Sequence, residues 1–293
     1  MNKKIIITGA NGFIGRHLIP FFEQEYQLYG FYLEHNTTIE KFPYINWIKV
    51  NLKDFMATSH AIKEISPDGL IHLAWNIQDP NYQTSIENFE WVAASLNIIK
   101  AFGENKGKRL LIAGSCIEYD WGRTNFSEKC SHLNWQLPYA NAKNSLHKMT
   151  QCLSSLYSFS YVWTRIFYLY GPHQPSRCLI PSIINNLSQD KKIQCNDSSQ
   201  FLDYLHVHDV AQGIYKAFIS DHNGPINICS SQGTKVKDIA LALAEKLNKK
   251  TLITLKKDRS LKHSIIGTNT LLTQLNWQQT LSLQKGLNQL INK

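Results

Sequence analysis

The chain has 293 residues, of which 43% are hydrophobic and 18% charged, and its formal net charge is +9. These proportions exclude a disordered polypeptide and fit one large α/β unit, or a major domain with a smaller one attached. The positive charge suits nucleic acid, an acidic membrane face or a polyanionic small molecule. We favour the small molecule because the basic residues are scattered, and their densest cluster is typical of solvated surface: Lys256, Lys257, Arg259 and Lys262.

The cysteines fall at no spacing typical of a disulfide framework or a zinc site. They are Cys116, Cys130, Cys152, Cys178, Cys195 and Cys229. We therefore expect a reducing compartment, the cytoplasm, and no bound metal. No apolar run is long enough for a membrane span, and the first, residues 5–7, is too short for an export signal. Nucleic acid and membrane are thus not expected as partners.

Short β-branched runs alternate with longer periodic segments, the pattern of βαβ units around a parallel sheet. The predicted strands are residues 4–8, 28–33, 46–50, 69–73, 109–113 and 162–168. The predicted helices are residues 14–25, 88–103 and 140–155, and Pro20 disfavours the middle of the first one. Elements become shorter beyond Gly171-Pro172, where we expect a substrate-covering region to begin.

A glycine-rich turn lies between the first predicted strand and the first predicted helix. Residues 8–15 read Thr-Gly-Ala-Asn-Gly-Phe-Ile-Gly. Gly9, Gly12 and Gly15 allow a tight turn and close approach of the backbone to a pyrophosphate, for which the helix N-terminus supplies N–H donors. The turn therefore predicts a dinucleotide site.

Tyr139 and Lys143 form a YxxxK motif, and helical spacing puts both side chains on one face. A free phenol titrates near about 10, so proton transfer at neutral pH requires a shifted pKa, which a nearby ammonium can supply. Ser115 directly follows the fifth predicted strand, at the carboxyl edge where a doubly wound sheet binds ligands. These three residues form the predicted catalytic group.

The GxxGxxG spacing resembles that of the extended short-chain dehydrogenase/reductase family. Further segments resemble motifs of this family: His72-Leu73-Ala74, Arg165 to Pro172 (RxFNxYGP), Asp203 to Ala211 (RDFxHVxDVA), Leu275-Asn276-Trp277 and Gly286-Leu287. The resemblance spans nearly the whole chain. It implies an α/β fold, a Rossmann-type doubly wound parallel sheet in residues 1–170. Residues 171–293 would form a smaller substrate-binding region, with 203–222 returning to the first domain.

The resemblance also implies roles for individual residues. Ser115 would hydrogen-bond the reacting oxygen, Tyr139 would act as general acid/base, and Lys143 would lower the pKa of Tyr139 and hold the nicotinamide ribose. The candidate cofactor-binding residues are Gly9, Asn11, Gly12, Phe13, Ile14, Gly15, Arg16, Tyr32, Asn51, Leu52, Leu73, Ala74, Tyr139 and Lys143. The candidate substrate-binding residues are Trp75, Cys116, Ile117, Tyr168, Arg177 and Cys178.

The end of the second predicted strand leaves the cofactor open between NAD(H) and NADP(H). An acid there would bind the ribose hydroxyls, and a cation would bind a 2′-phosphate. Glu34 lies at a suitable distance for NAD. Matching the strand pattern instead puts Tyr32 at the acidic position and leaves Arg16 available for a phosphate. Asn51-Leu52 replaces the family's Asp-hydrophobe pair beside adenine.

The residues after Ser115 restrict the reaction. Dehydratases of the family carry an Asp-Glu pair there, whereas this chain has Cys116-Ile117. Fucose-forming epimerase-reductases resemble this chain in having a Cys shortly after the serine, but Cys178 stands where they have a His. Of these reactions, hydride transfer at one carbon is the one that the residues present still allow. We therefore predict that the protein reduces a 4-keto sugar carried on a nucleoside diphosphate, to make a deoxysugar for a surface polysaccharide. The length and layout resemble abequose and paratose synthases. The alternatives are a 4-epimerase with retained NAD and a non-catalytic redox sensor.

Two departures from the family bear on the substrate. Leu202 stands in place of an Arg and Tyr168 in place of an Asn, both of which usually meet the diphosphate. Either Arg177, Lys191 or Lys192 supplies the missing charge, or the substrate is not a sugar nucleotide. The helices at 88–103 and 140–155 resemble the pair that forms a four-helix dimer interface in this family, so a homodimer is expected.

Overall fold

The computed structural model describes residues 3–122, 126–129, 132–197, 200–257 and 264–291. The strands are β1 (Lys3–Thr8), β2 (Tyr26–Tyr32), β3 (Asn46–Lys49), β4 (Gly69–His72), β5 (Arg109–Ser115), β6 (Ser160–Ile166), β7 (Tyr168–Tyr170), β8 (Ile193–Asp197), β9 (Leu202–His206), β10 (Gly224–Ile228), β11 (Gly233–Thr234) and β12 (Ile253–Lys257). The α-helices are α1 (Gly15–Leu18), α2 (Thr37–Lys41), α3 (Phe55–Ile65), α4 (Glu87–Glu104), α5 (Pro138–Tyr157), α6 (Leu179–Ser188), α7 (Val207–Ile219), α8 (Val236–Lys246), α9 (Thr270–Gln274) and α10 (Leu283–Ile291). Three residues named above lie outside the described ranges: Cys130, Arg259 and Lys262.

A parallel sheet forms the centre of the molecule. Within the described ranges it has seven strands in the order β10-β6-β5-β4-β1-β2-β3. The order reverses at β1, so the sheet is doubly wound and its carboxyl edge opens beside β1 and β4. The predicted fold class, a Rossmann-type parallel sheet, is confirmed.

The two faces of the sheet are covered by different helices because successive strand residues point to opposite sides. Ile5 and Ile7 of β1 pack in a core with α1 and α7, whereas Ile6 packs in a second core with α3, α4 and α5. All three isoleucines are buried. Fully apolar strands are typical of a parallel sheet that is covered on both faces.

The carboxyl-terminal half builds a separate apolar cluster around α6 and α8. Two small sheets belong to this half, one in the order β11-β9-β7 and one that pairs β12 with β8. Strand β10 nevertheless lies in the main sheet, paired with β6. The division into a domain of residues 1–170 and a region of residues 171–293 stays a prediction.

Buried carboxylates tie separate segments of the carboxyl-terminal half to one another. Asp203 accepts hydrogen bonds from the backbone N–H groups of Ser230 (2.8 Å), Ser231 (2.9 Å) and Gly267 (3.2 Å). Asp209 accepts from the backbone N–H groups of Thr280 and Leu281, both at 3.0 Å. Because a buried carboxylate needs such partners, each acid pins chain segments far away in sequence.

Two predicted elements differ from the structure. The helix expected at 14–25 ends as an α-helix at Leu18, and Ile19–Phe21 form a short 3₁₀ helix. Pro20 causes this, because proline lacks an N–H and its ring clashes with the carbonyl four residues earlier. The strand expected at 162–168 ends at Ile166, and Tyr168 starts β7 in another sheet, where it pairs with β9.

No helix in the described part of the chain is long and apolar enough to cross a bilayer. Among the same residues, no group of three or more His, Cys, Asp or Glu side chains could hold a metal ion. None of the described cysteines forms a disulfide.

Candidate active site

The glycine turn follows β1 and leads into α1. Gly9 has a φ of +67°, and a Cβ on it would lie 3.0 Å from the backbone nitrogen of Ala74. A Cβ on Gly15 would lie 2.4 Å from the carbonyl oxygen of Gly9. Both positions therefore require glycine, and Gly12 closes the turn by donating its N–H to the Gly9 carbonyl at 3.0 Å. The result is a backbone cradle at the amino end of α1.

Several candidate cofactor-binding residues surround this cradle. Leu73 and Ala74 lie against it, since their N–H groups donate to the carbonyl (3.2 Å) and the hydroxyl (3.3 Å) of Thr8. Asn11 ties the turn to the chain after β2 by donating its amide to the Glu34 carbonyl at 2.8 Å. Tyr32 ends β2. A glycine-rich turn at a helix N-terminus on this edge of the sheet fits a dinucleotide pyrophosphate.

Asn51 and Leu52 follow β3. The Asn51 side chain is exposed and accepts a hydrogen bond from the Lys53 N–H at 3.1 Å, while Leu52 is buried. Phe13 and Ile14 are half-buried at the amino end of α1. These positions, with the cradle itself, are the residues that would hold the dinucleotide.

The three predicted catalytic residues come together at the carboxyl end of β5. Ser115 is the last residue of β5, and its hydroxyl accepts the N–H of Ile117 at 3.3 Å. Tyr139 lies in the first turn of α5, and its N–H donates to the Gln83 carbonyl at 3.0 Å. A hydrogen bond with the Ser115 hydroxyl opposes the rise in the pKa of Tyr139. The two side chains therefore meet although they belong to separate elements.

Lys143 lies one helical turn after Tyr139, and its ammonium is buried. The Nζ atom donates to the Ala113 carbonyl at 2.8 Å and lies 3.6 Å from the centre of the Trp75 ring. Burial lowers the pKa of Lys143 to about 7, although the charge of Glu118 acts in the opposite direction. At neutral pH this lysine is therefore close to its midpoint of protonation.

The protein groups around Tyr139 raise the pKa of its phenol, and the lowering expected of Lys143 stays a prediction. Burial raises the pKa of Tyr139, and the nearby Tyr82 and Glu118 raise it further. The rings of Trp75 and Tyr82 explain this burial, with centroids 6.0 Å and 5.1 Å from that of Tyr139. A phenol in such surroundings stays protonated at neutral pH.

The buried carboxylate of Glu118 holds the backbone of Ser115 in place. Its oxygens accept the Ser115 N–H at 2.7 Å and the Trp163 indole N–H at 2.9 Å. The Arg165 Nε atom lies 2.8 Å from Glu118, and both side chains are almost entirely inaccessible to solvent. The sequence analysis did not single out Glu118; its position three residues after a strand-end serine is the capping-box spacing that could have signalled it.

The candidate substrate residues lie near Ser115 and Tyr139 or near Tyr82, whose ring packs on that of Tyr139. Cys116 and Ile117 are buried directly after Ser115. The charges of Cys116, Cys178 and Arg177 all influence the pKa of Tyr82, an aromatic residue in the loop after β4 that sequence reasoning missed. Tyr168 contributes its ring, 5.5 Å from that of Tyr204.

The candidate cations differ in position. Arg177 donates to the Ile77 carbonyl at 2.7 Å, so it joins the loop before α6 to the loop after β4. Lys191 and Lys192 follow the carboxyl end of α6, whose ten residues span roughly 15 Å. They therefore lie at the opposite end of this helix from Cys178, and of the three cations Arg177 is the one beside the candidate site.

Fold and site together define the class of protein. A doubly wound parallel sheet with a glycine cradle after its first strand, and a Tyr-Lys pair at its carboxyl edge, is the design of a dinucleotide-dependent enzyme. A model of the NAD dependent epimerase/dehydratase family matches residues 5–229, so the chain belongs to that family. The predicted membership of the extended short-chain dehydrogenase/reductases is thereby confirmed.

Individual relatives cover almost the whole chain. It is 25% identical to dTDP-4-dehydro-6-deoxyglucose reductase of Escherichia coli in an alignment 307 residues long, which covers 98% of this chain and 96% of the relative. Among solved structures, UDP-glucose 4-epimerase of Thermotoga maritima with UDP-glucose has a TM-score of 0.87 and 20% identity, covering 99% of this chain and 97% of that one. The NAD complex of the Thermus thermophilus UDP-glucose 4-epimerase has a TM-score of 0.85 and 19% identity, covering 99% and 98%. These structural likenesses show the fold.

The lowered pKa of Lys143 makes the stability of the protein depend on pH. In the unfolded chain a lysine titrates near about 10.4, so between pH ~7 and this value the unfolded chain binds more protons. The free energy of unfolding should therefore rise with pH over this range, by up to about 1.4 kcal/mol per pH unit. Urea unfolding at several pH values measures it, with Lys143→Met as the variant that lacks this contribution. Equal pH dependence in the two proteins would contradict the buried titration.

Proposed function

We propose that the protein reduces a 4-keto sugar carried on a nucleoside diphosphate, with a nicotinamide dinucleotide as hydride donor. The proposal rests on one observation. Ser115, Tyr139 and Lys143 come together beside the carboxylate of Glu118, whose oxygens already accept hydrogen bonds from other protein groups. Hydride transfer at one carbon needs only the first three residues and the cofactor. Elimination of water or inversion at other carbons needs further acids and bases.

Glu118 is the carboxylate nearest to Ser115 in the chain, and it is not available for proton transfer. It is fully buried and accepts hydrogen bonds from Ser115, Trp163 and Arg165. A carboxylate that is held by a buried guanidinium and two N–H donors cannot move towards a substrate. This argues against dehydration, which requires an acid and a base in addition to the tyrosine.

The thiols beside the site do not supply that chemistry either. Burial raises the pKa of Cys116 and of Cys178 above that of a free thiol. A thiol that stays protonated at neutral pH is a poor base. Proton shuttling next to the keto group, as in fucose-forming epimerase-reductases, is therefore not supported, and reduction without it is favoured.

The chain's own groups suit the reducing direction. A bound reduced nicotinamide supplies the hydride. The protonated phenol of Tyr139 can then donate its proton to the sugar oxygen as negative charge develops there, while the Ser115 hydroxyl donates a hydrogen bond to the same oxygen. Lys143 is positioned by the Ala113 carbonyl and would hold the nicotinamide ribose. Oxidation, with which a 4-epimerase begins, would instead need a phenolate; the positive charge of an oxidised nicotinamide would favour it, whereas burial raises the pKa of Tyr139 and opposes it.

The relatives support a nucleotide sugar as the substrate class. The name of the Escherichia coli relative specifies a 4-keto-6-deoxysugar on dTDP, and similar solved structures are UDP-glucose 4-epimerases. The product would be a deoxysugar of the kind used for surface polysaccharides. The cysteine spacing in the sequence, which is not that of a disulfide framework, supports a reaction in the cytoplasm.

Purified protein incubated with NADPH or NADH and a panel of 4-keto-6-deoxy nucleotide sugars tests the proposal. We expect stoichiometric loss of the absorbance of the reduced nicotinamide with one of these sugars. A parallel incubation with UDP-glucose, analysed by chromatography, tests the alternative. Interconversion of two 4-hydroxy sugars without net oxidation of the cofactor would replace the reductase by a 4-epimerase.

Tyr139→Phe tests the proton donor. The variant keeps the ring that packs on Trp75 and Tyr82 but lacks the hydroxyl, so turnover should fall roughly 100- to 10,000-fold with dinucleotide binding unchanged. Tyr157→Phe is the matched control, because Tyr157 lies at the other end of α5. Turnover and dinucleotide affinity are measured for both variants. Full activity of Tyr139→Phe would remove this mechanism.

We also propose a homodimer formed by α4 and α5. These helices pack side by side on one face of the sheet, and their outer surfaces carry large exposed apolar side chains. Ile86 (74%) and Phe89 (50%) lie at the start of α4, and Met149 (43%) and Leu156 (72%) are two turns apart on α5. Apolar residues gathered in this way favour association with a second copy.

Light scattering tests the dimer. We expect twice the chain mass of 33.7 kDa for the unmodified protein. Leu156→Glu would bury a charge in the interface and should shift the mass to that of a monomer. Ile219→Glu serves as control, since Ile219 is also exposed but ends α7 on the other face of the sheet. A monomeric parent protein, or equal behaviour of both variants, would contradict the proposal.

A further inference from the structure

A polar pocket of about 80 Å³ lies beside the glycine cradle. A buried space needs only about 10–15 Å³ by this measure to hold one water molecule, so a larger group fits. The residues that line the pocket with polar side chains are Arg16, His17, Thr37, Thr38, Lys41 and His173. No carboxylate lines it among the described residues, so the lining is cationic and rich in donors.

Two buried polar atoms in this lining have no hydrogen-bond partner among the described residues. They are the Nε atom of Arg16 and the hydroxyl of Thr38. Such atoms are rare, because a buried polar atom without a hydrogen-bond partner destabilises the folded protein. Two of them on one pocket indicate that it is built for a ligand with several acceptor oxygens.

The positive groups in and around the pocket also repel one another. The pKa of His17 is lowered by burial and further by the nearby His173, Arg16 and His208. Lys41 adds an ammonium that lies 5.5 Å from the Phe42 ring. An anion in the pocket would offset this repulsion, whereas a neutral ligand would not.

The pocket has a defined place relative to the dinucleotide cradle. Arg16 directly follows Gly15 in α1, and α2 begins at Thr37, shortly after the end of β2. The Asn36 side chain donates to the Asn11 carbonyl at 3.0 Å and so holds the start of α2 against the glycine turn. In doubly wound folds, the residues after the second strand meet the adenosine ribose.

The residue at the end of β2 distinguishes between the two nicotinamide dinucleotides. An acid at this position binds the ribose hydroxyls of NAD and repels a 2′-phosphate. Here the strand ends with the phenol of Tyr32. The Glu34 carboxylate does not line the pocket, and Glu34 is exposed. The strand therefore ends without an acid, and the cations Arg16 and Lys41 line the nearby pocket.

We infer that this pocket receives the 2′-phosphate of NADP(H), and that the enzyme uses NADP(H) in preference to NAD(H). The inference rests on the proposed dinucleotide-dependent function and assigns the specificity to the pocket residues. Arg16 and Lys41 supply the charge, and Thr38 donates through its hydroxyl. The phosphomonoester would thereby satisfy both unpartnered atoms.

Fluorescence titration of NADPH and NADH, without any sugar, tests the inference. We expect NADPH to bind at least about tenfold more tightly, a difference of about 1.4 kcal/mol. Arg16→Gln and Lys41→Gln should each weaken NADPH binding by about tenfold and leave NADH binding unchanged. Lys63→Gln, an exposed lysine in α3 outside the pocket, is the matched control. Tyr32→Asp should reverse the preference.

Competition experiments separate the possible sources of the phosphate. 2′-AMP should displace NADPH from the protein far better than 5′-AMP or inorganic phosphate. Displacement by inorganic phosphate as effective as that by 2′-AMP would show a general anion pocket and overturn the inference. Equal affinity for NADPH and NADH, or equal loss of both in Arg16→Gln, would also overturn it. If Arg16→Gln does not fold, Lys41→Gln and Tyr32→Asp decide, since both side chains are at least partly exposed.

These outcomes are independent of the sugar. Tight NADPH binding without reduction of any 4-keto sugar would refute the proposed reaction and leave the pocket assignment intact. Reduction of a sugar with NADH as readily as with NADPH would refute the pocket assignment and leave the proposed reaction intact.

Discussion

The arrangement of the residues at the carboxyl edge of the sheet depends on the buried carboxylate of Glu118. It joins β5, through the Ser115 N–H, to β6, through Trp163 and Arg165. Its own carbonyl accepts the Asn144 side chain at 3.0 Å, which adds α5 to the same network. Because removing one partner of a buried ion pair leaves an uncompensated charge, these elements are held in one arrangement. Glu118 thus holds in place the elements that carry Ser115 and Tyr139, the residues that we propose as catalytic.

Parallel strands bring chemistry from distant segments to one edge. The glycine cradle after β1, the Ala74 segment after β4, and Ser115 at the end of β5 all lie at carboxyl ends. Helix α5 then adds Tyr139 and Lys143 from above this edge. The rings of Trp75 and Tyr82 pack on Tyr139, and burial there raises the pKa of the phenol and lowers the pKa of Lys143.

The extent to which sequence predicted this structure follows from how local each signal is. Strand and helix positions depended on patterns within single segments, and they were correct except where Pro20 shortened α1 and where the chain left the main sheet at Tyr168. The glycine cradle was also local, since φ and close backbone contact select glycine. Tyr82, in contrast, has no distinguishing pattern in its polar loop, so it could not be found before the ring of Tyr139 was placed beside it.

By itself, the amino-acid sequence determined the doubly wound sheet, the dinucleotide cradle and the Tyr139-Lys143 pair, because each depends on spacing over a few residues. Only the tertiary structure decided the environment of these groups. Glu118 and Arg165 are 47 residues apart in the chain, and Arg16 meets Lys41 and His173 only through folding. Burial and charge pairing set pKa values and ligand preference, and both are sums over neighbours that no local pattern identifies. The saturated carboxylate, the protonated phenol and the cationic pocket are therefore properties of the folded chain.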